Sequence, residues 1–398
     1  MDDNLRISNR VKKMGTSAIH EMTRLSKEVD DVAFLSWAKP TSDTPEHIKQ
    51  AAIRAIENGL VGGYSAPLGL PALCEEIATK LTRDNHLDAN ASEVLVTVGA
   101  IEGLAAAVMT VVDPGDEVIV PSPTYATHIR QVLLASGNPV VVPSDEEAGF
   151  VLDIDGIEKA ITHKTRAILF ATPANPTGTV FREEQLRQVA RLALEHNLTI
   201  ITDEAYEYFV FDGNKHFSIA SIPEMKKHAI SCYTFTKTYA MTGWRVGYLH
   251  ADEALIPEIR KAHIPFAICA PVVSQYAALG ALQGPQDCIE DFRAKYLAAR
   301  DVMCERLDGL SEFLDYKKPG GSYLMFPRVL TAEGRRDSLS FCKRLLREAK
   351  VSTTPGIAFG PTGEGHLRMS FCVPQDTINK AFDRMEGFFK QGRRGKNA

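Results

Sequence analysis

Leu198-Thr199-Ile200-Ile201-Thr202-Asp203-Glu204-Ala205-Tyr206 is an apolar, β-branched run that ends in two acids and, two residues on, a tyrosine. A short run apolar on both faces is what a strand covered on both sides requires. Six comparable runs flank it, at 94–98, 117–120, 140–142, 167–170, 229–235 and 246–249, with amphipathic stretches such as 183–196 between them. This alternation predicts βαβ units: an α/β fold with a mostly parallel sheet and helices on both faces. Turn signals punctuate it at Asp113-Pro114-Gly115-Asp116, Ser136-Gly137-Asn138 and Asn175-Pro176-Thr177-Gly178. After about Gly284, helical stretches near 290–307 and 338–349 alternate with Gly/Pro-punctuated strands around 321–326 and 366–371, which predicts a smaller α+β domain. The expected division is an N-terminal arm and part of the small domain over 1–45, a large domain over 46–288 and a small C-terminal domain over 289–398. No repeat or long linker separates them, so the domains are expected to pack together, and the tail at 392–396 is expected to be disordered.

Composition narrows the function. The 398 residues are 44% hydrophobic, and 45 Lys and Arg stand against 50 Asp and Glu, for a net charge of −5. With no cationic excess to neutralise a phosphate backbone or an anionic bilayer, neither nucleic-acid nor membrane binding is expected. No uncharged apolar stretch approaches the roughly 18–20 residues that span a bilayer, and the first ten residues are polar where a secretory signal would be apolar. A cytoplasmic location is expected. Seven scattered cysteines without a C-x-x-C pair predict neither a disulfide framework nor a metal site.

In a parallel α/β sheet, ligands bind beyond the carboxyl ends of the strands. There the sequence places Asp203 and Tyr206 after one run, Thr236 and Lys237 after another, Asn175 after a third, and Gly99-Ala100 at a helix start. An acid, a lysine, an amide, a phenol and a helix N-terminus in one crevice suit a phosphorylated aromatic cofactor whose carbonyl forms a Schiff base with lysine.

The stretch Thr234-Phe235-Thr236-Lys237-Thr238-Tyr239-Ala240-Met241-Thr242-Gly243-Trp244-Arg245-Val246-Gly247, joined in order to Asn175-Pro176-Thr177-Gly178 and Asp203-Glu204-Ala205-Tyr206, resembles the signature of the pyridoxal phosphate-dependent aminotransferases of fold type I, class I/II, the family of aspartate aminotransferase. The resemblance extends from about Asp31 to Phe388. It implies pyridoxal 5'-phosphate (PLP) as cofactor and a reaction in which an L-amino acid passes its amino group to a 2-oxo acid, most economically 2-oxoglutarate, by a ping-pong mechanism. Lys237 would hold the cofactor as an aldimine and move the proton. Asp203 would pair with the pyridine nitrogen, Asn175 and Tyr206 would bond the 3′ oxygen, and Tyr125 would lie against the ring. The phosphate would sit on the N–H groups of Gly99, Ala100 and Ile101, with Thr234, Thr236 and Arg245 around it. Tyr64 would reach the neighbouring subunit's phosphate, implying a homodimer with shared active sites. Arg368 would grip the substrate α-carboxylate, beside Asn175 and the segment carrying Trp37 and Ala38.

Two departures bear on specificity. Ile101 stands where relatives acting on dicarboxylates often carry a hydroxyl or a lysine, and Ser36-Trp37-Ala38-Lys39-Pro40 replaces a typically glycine-rich segment. Trp37 is expected to wall the pocket, which is expected to favour apolar or aromatic amino acids over aspartate. The same residue set serves relatives that run β-elimination, such as cystathionine or cysteine-S-conjugate lyases, which is the alternative reaction. His128, His263 and the cysteines read as structural or surface residues.

Overall fold

The computed structural model describes residues 6–394, with side-chain surroundings through residue 391. A seven-stranded sheet forms its centre, built from β1 (Val94–Thr97), β2 (Glu117–Ser122), β3 (Asn138–Pro143), β4 (Thr165–Ala171), β5 (Thr199–Asp203), β6 (Ala229–Thr234) and β7 (Gly247–His250) in the order β1-β7-β6-β5-β4-β2-β3. Every residue of β1, β6 and β7 is buried, because helices cover both faces. The chain thus has the expected α/β architecture with a mostly parallel sheet.

The exception is β7, which runs antiparallel to both β6 and β1. Its cause is the connection: residues 235–246 form only a short helical turn and a 3-10 turn, without the longer crossover helix that usually links parallel strands. The consequence is functional. The start of β7 lies at the same sheet edge as the carboxyl ends of the others, so Arg245 joins the residues that follow β1, β5 and β6.

Helices α1 (Ala18–Ser26), α2 (Glu46–Glu57), α3 (Pro71–Asn85), α4 (Ala100–Val111), α5 (Ala126–Leu134), α6 (Glu183–Glu195), α7 (Ile256–Ala267), α8 (Val272–Gln283), α9 (Asp287–Asp308), α10 (Ser338–Ala349) and α11 (Gln375–Arg394) complete the framework. Their ends follow local chemistry. Proline opens α3 and left-handed His86 closes it, while the Asp337 side chain accepts from Ser340 N–H at 2.8 Å to cap α10.

Beyond α9 the chain forms a second layer on the three-stranded antiparallel sheet of β8 (Leu324–Met325), β9 (Thr354–Pro355) and β10 (Leu367–Ser370), in the order β8-β10-β9. Its strands are shorter than the runs at 321–326 and 366–371 suggested, because a bend at Ser322, with φ +57°, interrupts the first. The N-terminal segment belongs to this layer: Ala33 and Phe34 pair in parallel with Val351 and Ser352, and Met22 and Leu35 are buried in its core. Residues 392–394 continue α11, so the expected disorder of the tail does not begin there; Gly395 and Lys396 lie outside the described residues. Among the described residues no helix is long and apolar enough to cross a membrane.

Candidate active site

The carboxyl edge of the large sheet opens on a cavity of about 280 Å³ that Lys237, Asp203, Tyr206, Asn175, Tyr125, Ala38 and Arg368 line together. Residues separated by hundreds of positions converge because each follows a strand or faces that edge.

Lys237 lies on the short helix Phe235–Thr238, opened by Thr234, whose hydroxyl accepts from Thr236 N–H at 3.1 Å. The ammonium donates to the Ala38 carbonyl at 2.8 Å and sits 5.7 Å from the ring centroids of both Tyr206 and Tyr323. Enclosure among apolar and aromatic groups, with Arg368 and Arg245 adding positive charge, lowers its pKa to about 8 despite the opposing influence of Cys372 and Asp203. A neutral amine is therefore accessible near physiological pH. Burial also pushes the Tyr206 phenol well above its ordinary range, so it remains a donor.

Asp203 ends β5 with one oxygen accepting from Ala205 N–H at 3.1 Å and the other 3.3 Å from His128 Nε2. A carboxylate only accepts, so Nε2 carries the proton and Nδ1 accepts from the Thr124 hydroxyl at 3.0 Å. His128 is fully buried beneath Tyr125, with ring centroids 5.6 Å apart and planes at 88°. Of the two readings given to His128, structural or surface, the structure excludes the surface one: its ring is enclosed and holds the Asp203 carboxylate. The available signal was its place in the first turn of α5, three residues after Tyr125.

Where β1 meets α4, a helix N-terminus faces the cavity. Ala100 and Ile101 present first-turn N–H groups that have no intrahelical acceptor, and Thr234, Thr236 and Arg245 line the same cavity. Gly99 contributes differently from expectation, since its own N–H is spent on the Thr97 carbonyl at 2.9 Å. What it supplies is conformation and room: its φ is +75°, and a Cβ there would stand 2.7 Å from Arg245 Nη2. Arg245 in turn donates to Thr242 O at 3.0 Å and Val98 O at 3.4 Å.

Arg368, on β10, approaches from the opposite wall. Its Nη2 donates to Ser36 O at 2.6 Å and Thr354 Oγ1 at 3.3 Å, and Nη1 reaches Asn175 Oδ1 at 3.5 Å. Its buried Nε has no partner. A buried, incompletely bonded guanidinium is a seat for a carboxylate.

Two expected residues do not join this cavity. In the irregular segment 36–40, Ala38 lines this cavity while Trp37 faces a separate one of about 870 Å³ that Lys39, Pro40, Thr44 and Trp244 also line. The expected aromatic wall is therefore absent from the catalytic cavity, and Trp37 packs instead against Phe34, 4.8 Å away. Tyr64 is 80% exposed and points out of its own chain. Conversely, Ile19 of α1 lines the cavity although no sequence motif marked it, and Thr242, inside the lysine-bearing stretch but given no role there, lines it too.

The sequence matches the aminotransferase class I and II family over residues 31–385. It is 37% identical over 388 residues to aromatic-amino-acid aminotransferase 2 of Thermococcus litoralis, covering 97% of this chain and 98% of that protein. It is 36% identical, with the same coverage, to an aspartate aminotransferase of Pyrococcus abyssi. The structure superimposes on an aromatic aminotransferase of Pyrococcus horikoshii with a TM-score of 0.87 at 36% identity, covering 94% of this chain and 99% of that one. The chain belongs to the class I and II aminotransferases and has their fold type I architecture. These relatives do not favour the alternative lyase reaction.

Proposed function

We propose that this aminotransferase is PLP-dependent, takes an L-amino acid with an apolar or aromatic side chain as donor and 2-oxoglutarate as acceptor, and works by a ping-pong mechanism as a cytoplasmic homodimer. The observation that carries this reading is the enclosed Lys237 amine facing Asp203 and Arg368 across one cavity. The cavity fits the cofactor: the space above Gly99 that a Cβ would fill, the free N–H groups of Ala100 and Ile101, and Arg245 suit a phosphate, and Asp203 suits a ring nitrogen. When bound, PLP supplies an electron sink for the substrate's α-carbon. Lys237 would hold it through Nζ and carry the α-proton, for which a pKa near 8 suits an amine that must both accept and release. Asp203, oriented by His128, would hold a proton on the ring nitrogen, and Asn175 and Tyr206 would bind the ring oxygen. Tyr125 would lie against the ring face, and Thr234 and Thr236 would complete the phosphate seat.

Arg368 would grip the α-carboxylate of each substrate in turn beside Asn175 and Ala38. Ile101 and Ile19, both apolar, support a donor without a side-chain carboxylate. Exposed Ile264, Phe266 and Ile268 support a partner surface, and outward Tyr64 would reach the neighbouring subunit's phosphate seat. A core in the C-terminal layer, which takes in Met22 and Leu35 but also Tyr206 and Phe209, beside the cores on the large sheet supports an N-terminal arm and part of the small domain over 1–45, a large domain over 46–288 and a small domain over 289–398.

The test is the visible absorption of protein loaded with PLP, before and after single amino acids, with borohydride reduction and peptide mapping. Attachment at Lys237 and bleaching by phenylalanine, leucine or methionine more efficiently than by aspartate are expected. Aspartate with kcat/KM at least equal to theirs would sink the donor assignment, and a protein that stays colourless would sink the cofactor.

A further inference from the structure

The loop after β3 reaches across to the C-terminal layer and grips it. Glu146 Oε1 accepts from His366 Nε2 at 2.8 Å and from Arg328 Nε at 2.7 Å, and Glu147 meets Arg328 at 3.1 Å. His366 is only 4% exposed. Its ring stacks on Phe326 with centroids 4.7 Å apart and planes 4° apart, and Phe150, at the end of the Glu146 loop, closes its edge at 5.9 Å. Phe326 meets Phe359 edge-on at 5.8 Å, and Phe359 lies beneath the Arg368 guanidinium at 5.0 Å. A continuous packed path therefore runs from Glu146 through His366 and two aromatic rings to Arg368. A second connection is covalent, since His366 enters β10 two residues before Arg368 and its backbone bridges Arg328.

We infer that His366 is a positioning residue: clamped by Glu146, it fixes Phe326 and Phe359 and thereby the tilt of Arg368, setting how tightly the site holds the α-carboxylate of its substrates. Hydrogen bonds anchor Arg368 firmly at Nη2 alone, to Ser36 O at 2.6 Å and Thr354 Oγ1 at 3.3 Å, while its Nε lacks a protein partner and Nη1 reaches Asn175 only at 3.5 Å. With one end anchored, the tilt of the guanidinium plane depends also on Phe359, which packs against it. Burial would raise the Glu146 carboxyl, but the hydrogen bonds from His366 and Arg328 more than offset this and bring it down to about 2, so the clamp keeps its negative charge at every working pH. The inference rests on Arg368 as the carboxylate grip.

The experiment titrates PLP-loaded protein with two ligands, α-methylphenylalanine and 2-phenylethylamine, which differ chiefly in the carboxylate, and reads the cofactor's absorption. In His366→Ala, affinity for the amino acid is expected to fall about tenfold while that for the amine changes less than about twofold, because displacing a positioned group costs only the ligands it contacts. Glu146→Ala should do the same, and His366→Gln, which keeps a donor for Glu146, should recover much of the loss. Equal losses for both ligands, or an unaltered preference for the amino acid in His366→Ala and Glu146→Ala, would overturn the inference. A wild-type protein that binds the two ligands alike would instead overturn the assignment of Arg368, and the inference with it.

Discussion

His128 Nε2 stands 3.3 Å from Asp203 Oδ2, inside the protein and behind the carboxylate that faces the cavity. The contact joins the end of β5 to α5, and Thr124, whose hydroxyl meets Nδ1 at 3.0 Å, holds the ring from the other side. Replacing His128 with Asn should remove the contact without removing the acid. A fall in kcat of about tenfold is expected, against a hundredfold or more for Asp203→Ala, by analogy with other orienting and direct contacts. Steady-state kinetics on the loaded enzymes checks the order, and equal losses would contradict it.

Lys237 has a pKa of about 8 in the cofactor-free fold against 10.5 for an ordinary lysine. Labelling of cofactor-free protein at this amine, followed by peptide mapping, should therefore rise through pH 8 rather than above pH 10. The linkage has a definite sign. Between these values the unfolded chain holds a Lys237 proton that the folded one has lost, so the contribution of Lys237 to stability should increase with pH from about 8 to 10.5, against the opposite contribution of buried thiols and phenols such as Cys372 and Tyr239. The Tm difference between the wild type and Lys237→Met should therefore shift in favour of the wild type as pH rises across this window, and a difference that does not vary with pH would contradict it.

Gly99 has φ +75° and ψ 162°, a conformation open essentially to glycine alone. Gly99→Ala should cost about 1–3 kcal/mol of stability from the backbone. Because the new methyl would stand 2.7 Å from Arg245 Nη2, affinity for PLP should fall as well. Denaturant melts and a cofactor titration test both, and unchanged cofactor affinity would show that Arg245 does not belong to the phosphate seat.

Ile101 is 41% exposed in the first turn of α4, at the wall of the catalytic cavity. Ile101→Lys would place a cation there. The ratio of kcat/KM for aspartate over phenylalanine should rise by about threefold to fivefold, the size of one exposed charge contact at up to about 1 kcal/mol. No change in that ratio would mean that donor choice is made elsewhere in the cavity.

Much of this protein is legible along the chain. β-Branched runs such as 198–202 specify strands through local patterning, and the polar residues that end them are carried to one edge by topology alone; hence Asp203, Lys237 and Asn175 could be assigned to one crevice without coordinates. What the chain did not declare depends on direction and depth. The reversal of β7 comes from a connection without a crossover helix, and it is what brings Arg245 to the site. Which residues of the irregular segment 36–40 face the cavity is set by how that segment packs against the rest of the chain, and it admits Ala38 while excluding Trp37. His128 and His366 sit in ordinary-looking sequence and acquire a role only through partners 75 and 220 positions away. Local pattern determines what an element is, because it depends on near neighbours; which buried side chains meet is decided when distant elements pack, and only the tertiary structure records that.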